Sequence, residues 1–437
     1  MTTLRFSLLG GKQVKVLSTH DGGFLAPADT TAGAQIELFL ARERVALLTS
    51  PPHGTEEVNL GEFIGRVRRL AEEIAGQLIA MDEEIQLALV SLLAGENVFF
   101  LSLPGAAKTT LSRLIAQGVD GRLFRINLNP DVSRNDLFGA LDPAALRDGR
   151  WARKLSGLAT ASVAIIDELF KASGSVLNML LEAYEEHTLS EPDGVHRLPL
   201  LLGIAASNEL VNATPQNAAW DRILLRKEVS YPNRPGDWAQ LLRSDGGRRP
   251  ISTRLSPEEI MLVQAYIEHR AMALPEDVSA RMVRIRAKLS KDGIPISPRR
   301  FRGWARAATA HSMLRGEPQV SSKSLLIGQH ILWIGLEERD AVRNVVAQLS
   351  DPERQILLAA AADVEDILSK AGGEENMQAL VCWQTKLKKH QQLLQSKVVD
   401  PQLDAEKEEL HRRIQEVQGT LVERGVAVMA VQSDAAK

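Results

Sequence analysis

Apolar positions follow different spacings in successive stretches of the chain, and each change of spacing marks a change of element. Near the start, short runs at Leu4–Leu9, Gln13–Leu17 and Ile36–Leu40 are separated by Gly10-Gly11, Asp21-Gly22-Gly23 and the small residues around Ala28–Gly33. Short runs between turn formers predict a small β-rich piece. After Pro51-Pro52-His53-Gly54, apolar residues recur at helical spacing from Leu60 to Leu93 (Phe63, Val67, Leu70, Ile74, then Ile85, Leu89, Leu92).

Short apolar runs then alternate with helical patterns such as Thr109–Ile115. They are Asn97–Leu101, followed by Pro104-Gly105; Val163–Ile166, ending at Asp167-Glu168; and Leu200–Ala205, followed by Ser207-Asn208. Buried strands alternating with helices predict a parallel sheet covered on both faces, with ligands at the carboxyl ends of the strands. Those ends are where the polar residues sit.

From Pro250 onward the strand signal ends. Pro257–His269, Pro275–Leu289, Pro298–Leu314 and Ser321–Leu336 carry helical spacing, each opening on proline or serine, and predict an all-helical unit. Asn376–Val398 and Gln402–Arg424 follow as charged helices broken at Asp400-Pro401. Leu403, Leu410, Ile414, Val417 and Leu421 form a seam on one, and Leu380, Trp383, Leu387 and Leu394 a stripe on the other. The pattern predicts a helical hairpin packed on its own body, with an intermolecular coiled coil as the alternative. The expected divisions are therefore 1–55, an N-terminal appendage; 56–248, an α/β core; 249–337, a helical lid; and 338–437, a C-terminal helical region.

Composition narrows the partners. The 437 residues carry 52 Lys+Arg against 55 Asp+Glu, a net charge of −3, so bulk charge argues against nucleic acid as a partner. A local basic run, Arg281, Arg284, Arg286, Lys288 and Lys291, reads as a solvated helix face, and no zinc module or helix-turn-helix accompanies it. It leaves a DNA-associated motor as an alternative. A single cysteine, Cys382, excludes an intrachain disulfide framework, and the scattered histidines lack metal-ligand spacing. Met1–Arg5 leads into a short apolar patch rather than a long one, and no stretch reaches the roughly 18 apolar residues of a membrane span. The expectation is a cytoplasmic protein without membrane insertion.

Ser102–Thr109 lies between a predicted strand and a predicted helix, as a phosphate loop must. Loop N–H groups and the positive helix end wrap phosphates, the lysine reaches the β/γ oxygens and the next hydroxyl ligates Mg²⁺. Pro104, Gly105, Ala106, Ala107, Lys108, Thr109 and Thr110 are the candidates. Ser102 and Ala107 stand where the generic pattern has glycine, so an ordinary strand-to-helix turn is the competing reading.

Asp167 and Glu168 place paired carboxylates past a buried strand, the first for a Mg²⁺ shell and the second to orient or activate water. A solvated acidic turn is the alternative. Asn208 could position the same water, with Ser207 and Glu209 in reserve if the register slips. Arg222 and Arg299, with Arg300 as its alternative, could neutralise charge on a transferring phosphoryl group, from the same chain or a neighbour.

In this order the motifs resemble the MoxR branch of the AAA+ ATPases, and within it the RavA-type regulatory ATPases. The branch's G-P-P-G-x-A-K-S/T loop matches here except at Ser102 and Leu103. Asp136–Gly139, Asp148–Arg150, Leu155–Gly157, Ile165–Glu168, Lys171-Ala172, Leu177–Ala183 and Ala205–Leu210 continue the likeness over about residues 60–335. The resemblance implies a P-loop NTPase αβα sandwich with an all-helical AAA+ lid. It assigns ATP/ADP and Mg²⁺ to Lys108, Thr109 and Asp167, catalytic base to Glu168 and sensor 1 to Asn208. Arg222, in Trp220–Leu224, becomes an arginine finger, and Arg299, in Ser297–Phe301, the sensor 2 arginine.

It also implies a homo-oligomeric, hexameric ring. Its members remodel or mature protein clients, commonly with a partner carrying a von Willebrand factor A domain. The role of a partner-binding appendage would fall to Asp340–Lys437, together with Met1–Pro51. A nucleotide-stabilised scaffold with little hydrolysis is the second reading.

Overall fold

The computed structural model describes residues 2–7, 13–18, 24–25, 57–102, 107–208, 222–243, 249–371, 373, 376–400 and 403–435. The expected run Ile36–Leu40, the loop residues Pro104, Gly105 and Ala106, and Glu209 and Asp221 lie outside them. Two compact units divide the chain, Met1–Val342 and Arg343–Lys437.

Strands β1 (Thr2–Ser7), β2 (Gln13–Ser18), β3 (Phe24–Leu25) and β4 (Glu57–Asn59) form one sheet in the order β3-β2-β1-β4. β1 runs antiparallel to β2 and parallel to β4. Helix α1 (Leu60–Ala75) follows, its first turn capped by the Asn59 side chain, and buries Phe63, Val67, Leu70 and Ile74. α2 (Asp82–Ala94) is apolar nearly all round and is buried accordingly.

A five-stranded parallel sheet carries the α/β layer. Its strands are β5 (Val98–Ser102), β6 (Leu123–Asn127), β7 (Val163–Asp167), β10 (Leu202–Ser207) and β11 (Leu225–Val229), in the order β11-β5-β10-β7-β6. The inner strands β5, β10 and β7 are the apolar runs read from the sequence. β6 and β11 are edge strands whose side chains are partly polar, so their apolar runs are interrupted. Between them stand α3 (Lys108–Gly118), α4 (Arg134–Phe138), α5 (Pro143–Arg147) and α6 (Gly174–Glu185), then the hairpin β8 (Thr188–Glu191) and β9 (Gly194–Arg197). α7 (Pro235–Arg243) follows β11.

Gly139, which ends α4, shows why one motif glycine is required. Its φ is +97°, and a Cβ there would lie 2.1 Å from the Lys154 carbonyl oxygen. Nearby, the Glu191 carboxylate is almost fully buried between Arg153 Nε at 2.8 Å and Arg134 Nε at 3.0 Å, tying the hairpin to this region.

The lid comprises α8 (Pro257–Met272), α9 (Glu276–Lys291) and α10 (Pro298–Arg315). Ser256 and Glu259 cap α8 reciprocally, and Ser297 caps α10, which fixes Arg299 in its first turn. The stretch expected as a further α-helix from Ser321 is instead a 3₁₀ segment, Ser322–His330. Trp304 Nε1 takes the Leu325 carbonyl and His311 Nδ1 lies 3.2 Å from the Ser324 carbonyl, so side chains hold the oxygens an α-helix would use. The lid is pinned to the core at its start. Asp120 N donates to Leu255 O at 2.9 Å, Leu255 N to Gly118 O at 2.8 Å, and Glu73 accepts from both backbone and hydroxyl of Ser252 and Thr253.

In the second unit, after α11 (Arg339–Ser350), the pair α13 (Met377–Lys397) and α14 (Asp404–Ala435) is joined by α12 (Pro352–Ala371). Leu380, Leu387 and Leu394 of α13 and Leu410, Ile414, Val417 and Leu421 of α14 are buried, as the stripes predicted, and α12 adds Leu357, Val364 and Ile367. Asp363 links α12 to α13 through Lys386 at 2.8 Å and His390 at 2.7 Å. Among the described residues, no helix is long and apolar enough to cross a membrane.

Candidate active site

Parallel register sets the site. β10 pairs Ala205 with Ile166 of β7, and Ser207 with Leu101 of β5, so these carboxyl ends finish at one level. Asn208 is therefore a neighbour of Asp167 and Glu168 although it lies 40 positions beyond Glu168 in the chain. Lys108 begins α3 from the same end of β5.

The side chains meet as a chain of hydrogen bonds. Lys108 Nζ donates to Asn208 Oδ1 at 3.0 Å, and Asn208 Nδ2 donates to Glu168 Oε1 at 2.7 Å. Glu168 Oε2 is buried without a hydrogen-bond partner among the described residues, with Lys171 Nζ 3.5 Å away. Burial pushes the Lys108 ammonium below its ordinary range, while the carboxylates of Glu168 and Asp167 push it back up. The two carboxylates thus support the lysine's charge against its burial.

Two residues here hold left-handed backbone conformations without being glycine. Ala107, just before α3, has φ +54°, and Glu168 has φ +58°. Such torsions are costly for side-chain-bearing residues and persist where the surroundings enforce them. Both lie beside candidate site residues, Ala107 before Lys108 and Glu168 after Asp167. Thr109 and Thr110 sit half-buried in the first turn of α3, which contains no acidic residue. A helix start without carboxylates favours an anion from elsewhere.

Asp167 has a partner that the sequence reading missed. Arg125 of β6 donates from Nε at 3.3 Å and Nη2 at 3.1 Å to Asp167 Oδ2. The only available signal was a basic residue in the middle of a strand that was not itself recognised.

Arg222 and Arg299 are brought together elsewhere. Glu185, the last residue of α6, takes Arg222 Nε on Oε2 at 2.7 Å and Arg299 Nη2 on Oε1. Arg300, the alternative to Arg299, is buried and donates to the Trp333 carbonyl at 3.2 Å. Glu185 was not singled out from sequence. Its location is fixed by buried Asn97, whose Nδ2 donates to Tyr184 O at 3.0 Å and whose Oδ1 accepts from Gly203 N at 2.9 Å. Asn97 and Gly203 stand at the amino ends of β5 and β10, so Glu185 and its arginines occupy the edge of the sheet opposite Lys108.

The basic run of α9 is a solvent-facing surface, with Arg284, Arg286, Lys288 and Lys291 exposed and Lys288 paired with Asp292 at 3.0 Å. Among the described residues, no cluster of three or more His, Cys, Asp or Glu side chains could hold a metal by itself.

Comparison with known proteins places the chain. Residues 65–247 match the family model for the MoxR domain in the MoxR-vWA-beta-propeller ternary systems. An uncharacterized protein of Methanocaldococcus jannaschii is 31% identical over 310 residues, covering 70% of this chain and 80% of that one. A second uncharacterized protein of that organism is 30% identical over 329 residues, covering 72% and 86%. The chain belongs to the MoxR family of AAA+ ATPases.

Protein MoxR of Methylorubrum extorquens is 27% identical over 172 residues, 38% of this chain and 49% of that protein. A crystal structure from Cytophaga hutchinsonii, provisionally named an ATPase, aligns with TM-score 0.55 at 16% identity, covering 66% of this chain and 94% of that one. The likeness of fold thus covers a longer part of the chain than the residues 65–247 matched by the family model.

Proposed function

We propose that this MoxR-family protein is a Mg²⁺-dependent ATPase working in the cytoplasm as a hexameric ring. Hydrolysis would be coupled to remodelling or maturation of a protein client, with a von Willebrand factor A-domain partner. The observation that carries the reading is the chain Lys108–Asn208–Glu168 at the carboxyl ends of adjacent strands. Residues 56–248 would be the nucleotide-binding core, 249–337 the lid and 338–437 the partner-binding region, with 1–55 as an appendage. The vWA and beta-propeller components in the matched family's description support a multiprotein setting.

The donor set fits Mg²⁺ATP. Lys108 offers an ammonium for phosphate oxygens, α3 its N–H groups, and Thr109 and Asp167 hard oxygen ligands of the kind Mg²⁺ prefers. Bound Mg²⁺ would supply charge neutralisation across the phosphates and a fixed in-line geometry. Arg125 holds Asp167 in place from the next strand. Asn208 fixes one oxygen of Glu168, leaving Oε2 to accept a proton from an attacking water. Arg222, at the far edge of the sheet, would serve a neighbouring subunit, making activity depend on assembly.

Steady-state phosphate release across a protein-concentration series, with light scattering on the same samples, tests this. Specific activity should rise as hexamer-sized particles form and fall in Lys108→Ala, Glu168→Gln and Arg222→Ala. Turnover like wild type in all three variants would remove the assignment.

A further inference from the structure

Lys171 lies in the stretch of MoxR likeness and stands against the candidate base. Its Nζ is 3.5 Å from Glu168 Oε2, while Asn208 Nδ2 donates to Oε1 at 2.7 Å. The two oxygens of one carboxylate are thus met from different elements, Oε1 by the residue after β10 and Oε2 by the turn after β7. The line of side chains runs Lys108, Asn208, Glu168, Lys171, with a cation at each end.

The backbone builds this contact. Glu168, at φ +58°, turns the chain out of β7 into a 3₁₀ turn, Leu169–Lys171, where Lys171 N donates to Glu168 O at 2.9 Å. Side chains three residues apart eclipse one another in such a turn, which brings Lys171 over Glu168. The two residues between them fasten the turn to the sheet. Leu169 is buried, and the Phe170 ring packs against Phe99 of β5 with centroids 5.5 Å apart. Ser173 then caps α6, so the chain is held on the far side of Lys171 as well. Leu169 and Phe170 are what hold the turn, because an ion pair to a lysine side chain that is 55% exposed adds little to stability. The place of this cation is explained by the site rather than by the fold.

We propose that Lys171 is a positioning residue for ATP hydrolysis: its ammonium holds the Glu168 carboxylate from the Oε2 side and keeps that oxygen aimed at the attacking water. The proposal rests on the ATPase reading above and adds a second orienting group to the base. At 3.5 Å the ammonium acts through its charge without closing a hydrogen bond, so Oε2 keeps its lone pairs for the proton of the water. Asn208 alone fixes one oxygen and leaves the carboxylate free to swing about that contact. A charge beside the second oxygen removes the swing. Asp167 is served in the same way, by Arg125 at its Oδ2. Each carboxylate of the pair then has its own cation from the same chain.

Lys171→Met, which keeps an unbranched side chain without the charge, tests this in the full-length assembly. Its kcat should fall roughly 10- to 100-fold, the cost of misplacing a reacting group by about an ångström. KM for ATP and fluorescent-nucleotide affinity should stay within about twofold of wild type, since the loss falls on the transition state rather than on binding. Lys171→Arg should recover most of the rate by restoring a cation at the same place. In single-turnover measurements on Glu168→Gln, adding Lys171→Met should cost nothing further, because a neutral amide gives the ammonium no charge to hold.

Unchanged kcat in Lys171→Met overturns the proposal and leaves the ATPase reading standing. A raised KM at unchanged kcat also overturns it, because the ammonium then binds nucleotide instead of orienting the base. An equal loss in the wild-type and Glu168→Gln backgrounds shows that Lys171 acts independently of Glu168 and overturns it likewise. Wild-type chains that release no phosphate in any assembly overturn the ATPase reading and this proposal together.

Discussion

Asn208 donates its amide Nδ2 to Glu168 Oε1 at 2.7 Å while its Oδ1 receives Lys108 Nζ at 3.0 Å. One amide thus orients both a lysine and a carboxylate, using opposite ends of its dipole. An aliphatic side chain could do neither, and a carboxylate could serve only the lysine.

Glu168→Gln therefore keeps the shape and the contact to Asn208 but removes the base. Nucleotide affinity should remain within a few-fold of wild type while turnover falls by about 10²–10⁴. Fluorescent-nucleotide titration beside phosphate release checks this, and equal loss of both quantities would contradict it. Asn208→Ala should lower turnover too, because Glu168 loses its orienting donor.

Arg125→Ala should act through Asp167. Its guanidinium touches Asp167 Oδ2 from Nη2 at 3.1 Å, so its loss frees the carboxylate to rotate. Partners that orient a metal ligand typically contribute about 10–100-fold in metal affinity, and the exposed position of Arg125 places the effect near the lower end. The Mg²⁺ concentration for half-maximal activity should rise accordingly, with maximal rate at saturating Mg²⁺ largely restored.

Asn97→Ala should be destabilising beyond its size. Asn97 is buried and satisfies both the Tyr184 carbonyl and the Gly203 amide, each of which would be left without a partner. A buried polar group left unsatisfied costs about 1–3 kcal/mol, and the loss should appear in chemical denaturation. Turnover should fall as well, since Glu185 directly follows Tyr184.

Glu83 gives a sign-definite pH effect. Its carboxyl is held down at about 2, from an ordinary 4.5, chiefly by the hydrogen bond with His330 and further by Lys227. A carboxylate lowered on folding contributes its full stability above the ordinary value and loses it as pH falls through the folded one. The window is therefore from about pH 4.5 down to about 2. The side chain is 43% exposed, so solvent screening limits the contribution to about 1 kcal/mol. The stability difference between wild type and Glu83→Gln, measured by denaturation at successive pH values, should vanish across that window.

Gly139→Ala should be severe. The added Cβ would meet the Lys154 carbonyl oxygen at 2.1 Å, with φ at +97°, so the backbone of both segments must shift. A loss of at least about 2 kcal/mol is expected by thermal unfolding, larger than Gly149→Ala, where φ is also positive but the space is open.

Several of these positions were readable from the sequence because local chemistry marks them. Apolar runs that stop at Asp167-Glu168 and Ser207-Asn208 identify inner strands together with the polar residues at their ends. Prolines and serines before α8 and α10 mark those helices for the same local reason, the need to satisfy or remove unbonded N–H groups. β6 and β11 escaped because an edge strand has one open side, which permits Arg125, Lys227 and Glu228 and breaks the apolar run. The 3₁₀ segment at Ser322–His330 escaped because Trp304 and His311, remote in sequence, engage its carbonyls.

What the sequence determined alone was the inner strands with the helices beside them, the MoxR resemblance and the candidate residues Lys108, Asp167, Glu168 and Asn208. Each sits beside a strand end or helix start that its neighbours in the chain define. Only the tertiary structure decided that Arg125 serves Asp167, that Asn208 joins Lys108 to Glu168, and that Glu185 gathers Arg222 with Arg299 at the opposite edge of the sheet. These relationships depend on strand order and parallel register, which bring residues up to about a hundred positions apart into contact; charge pairs at such separations leave no periodic trace along the chain.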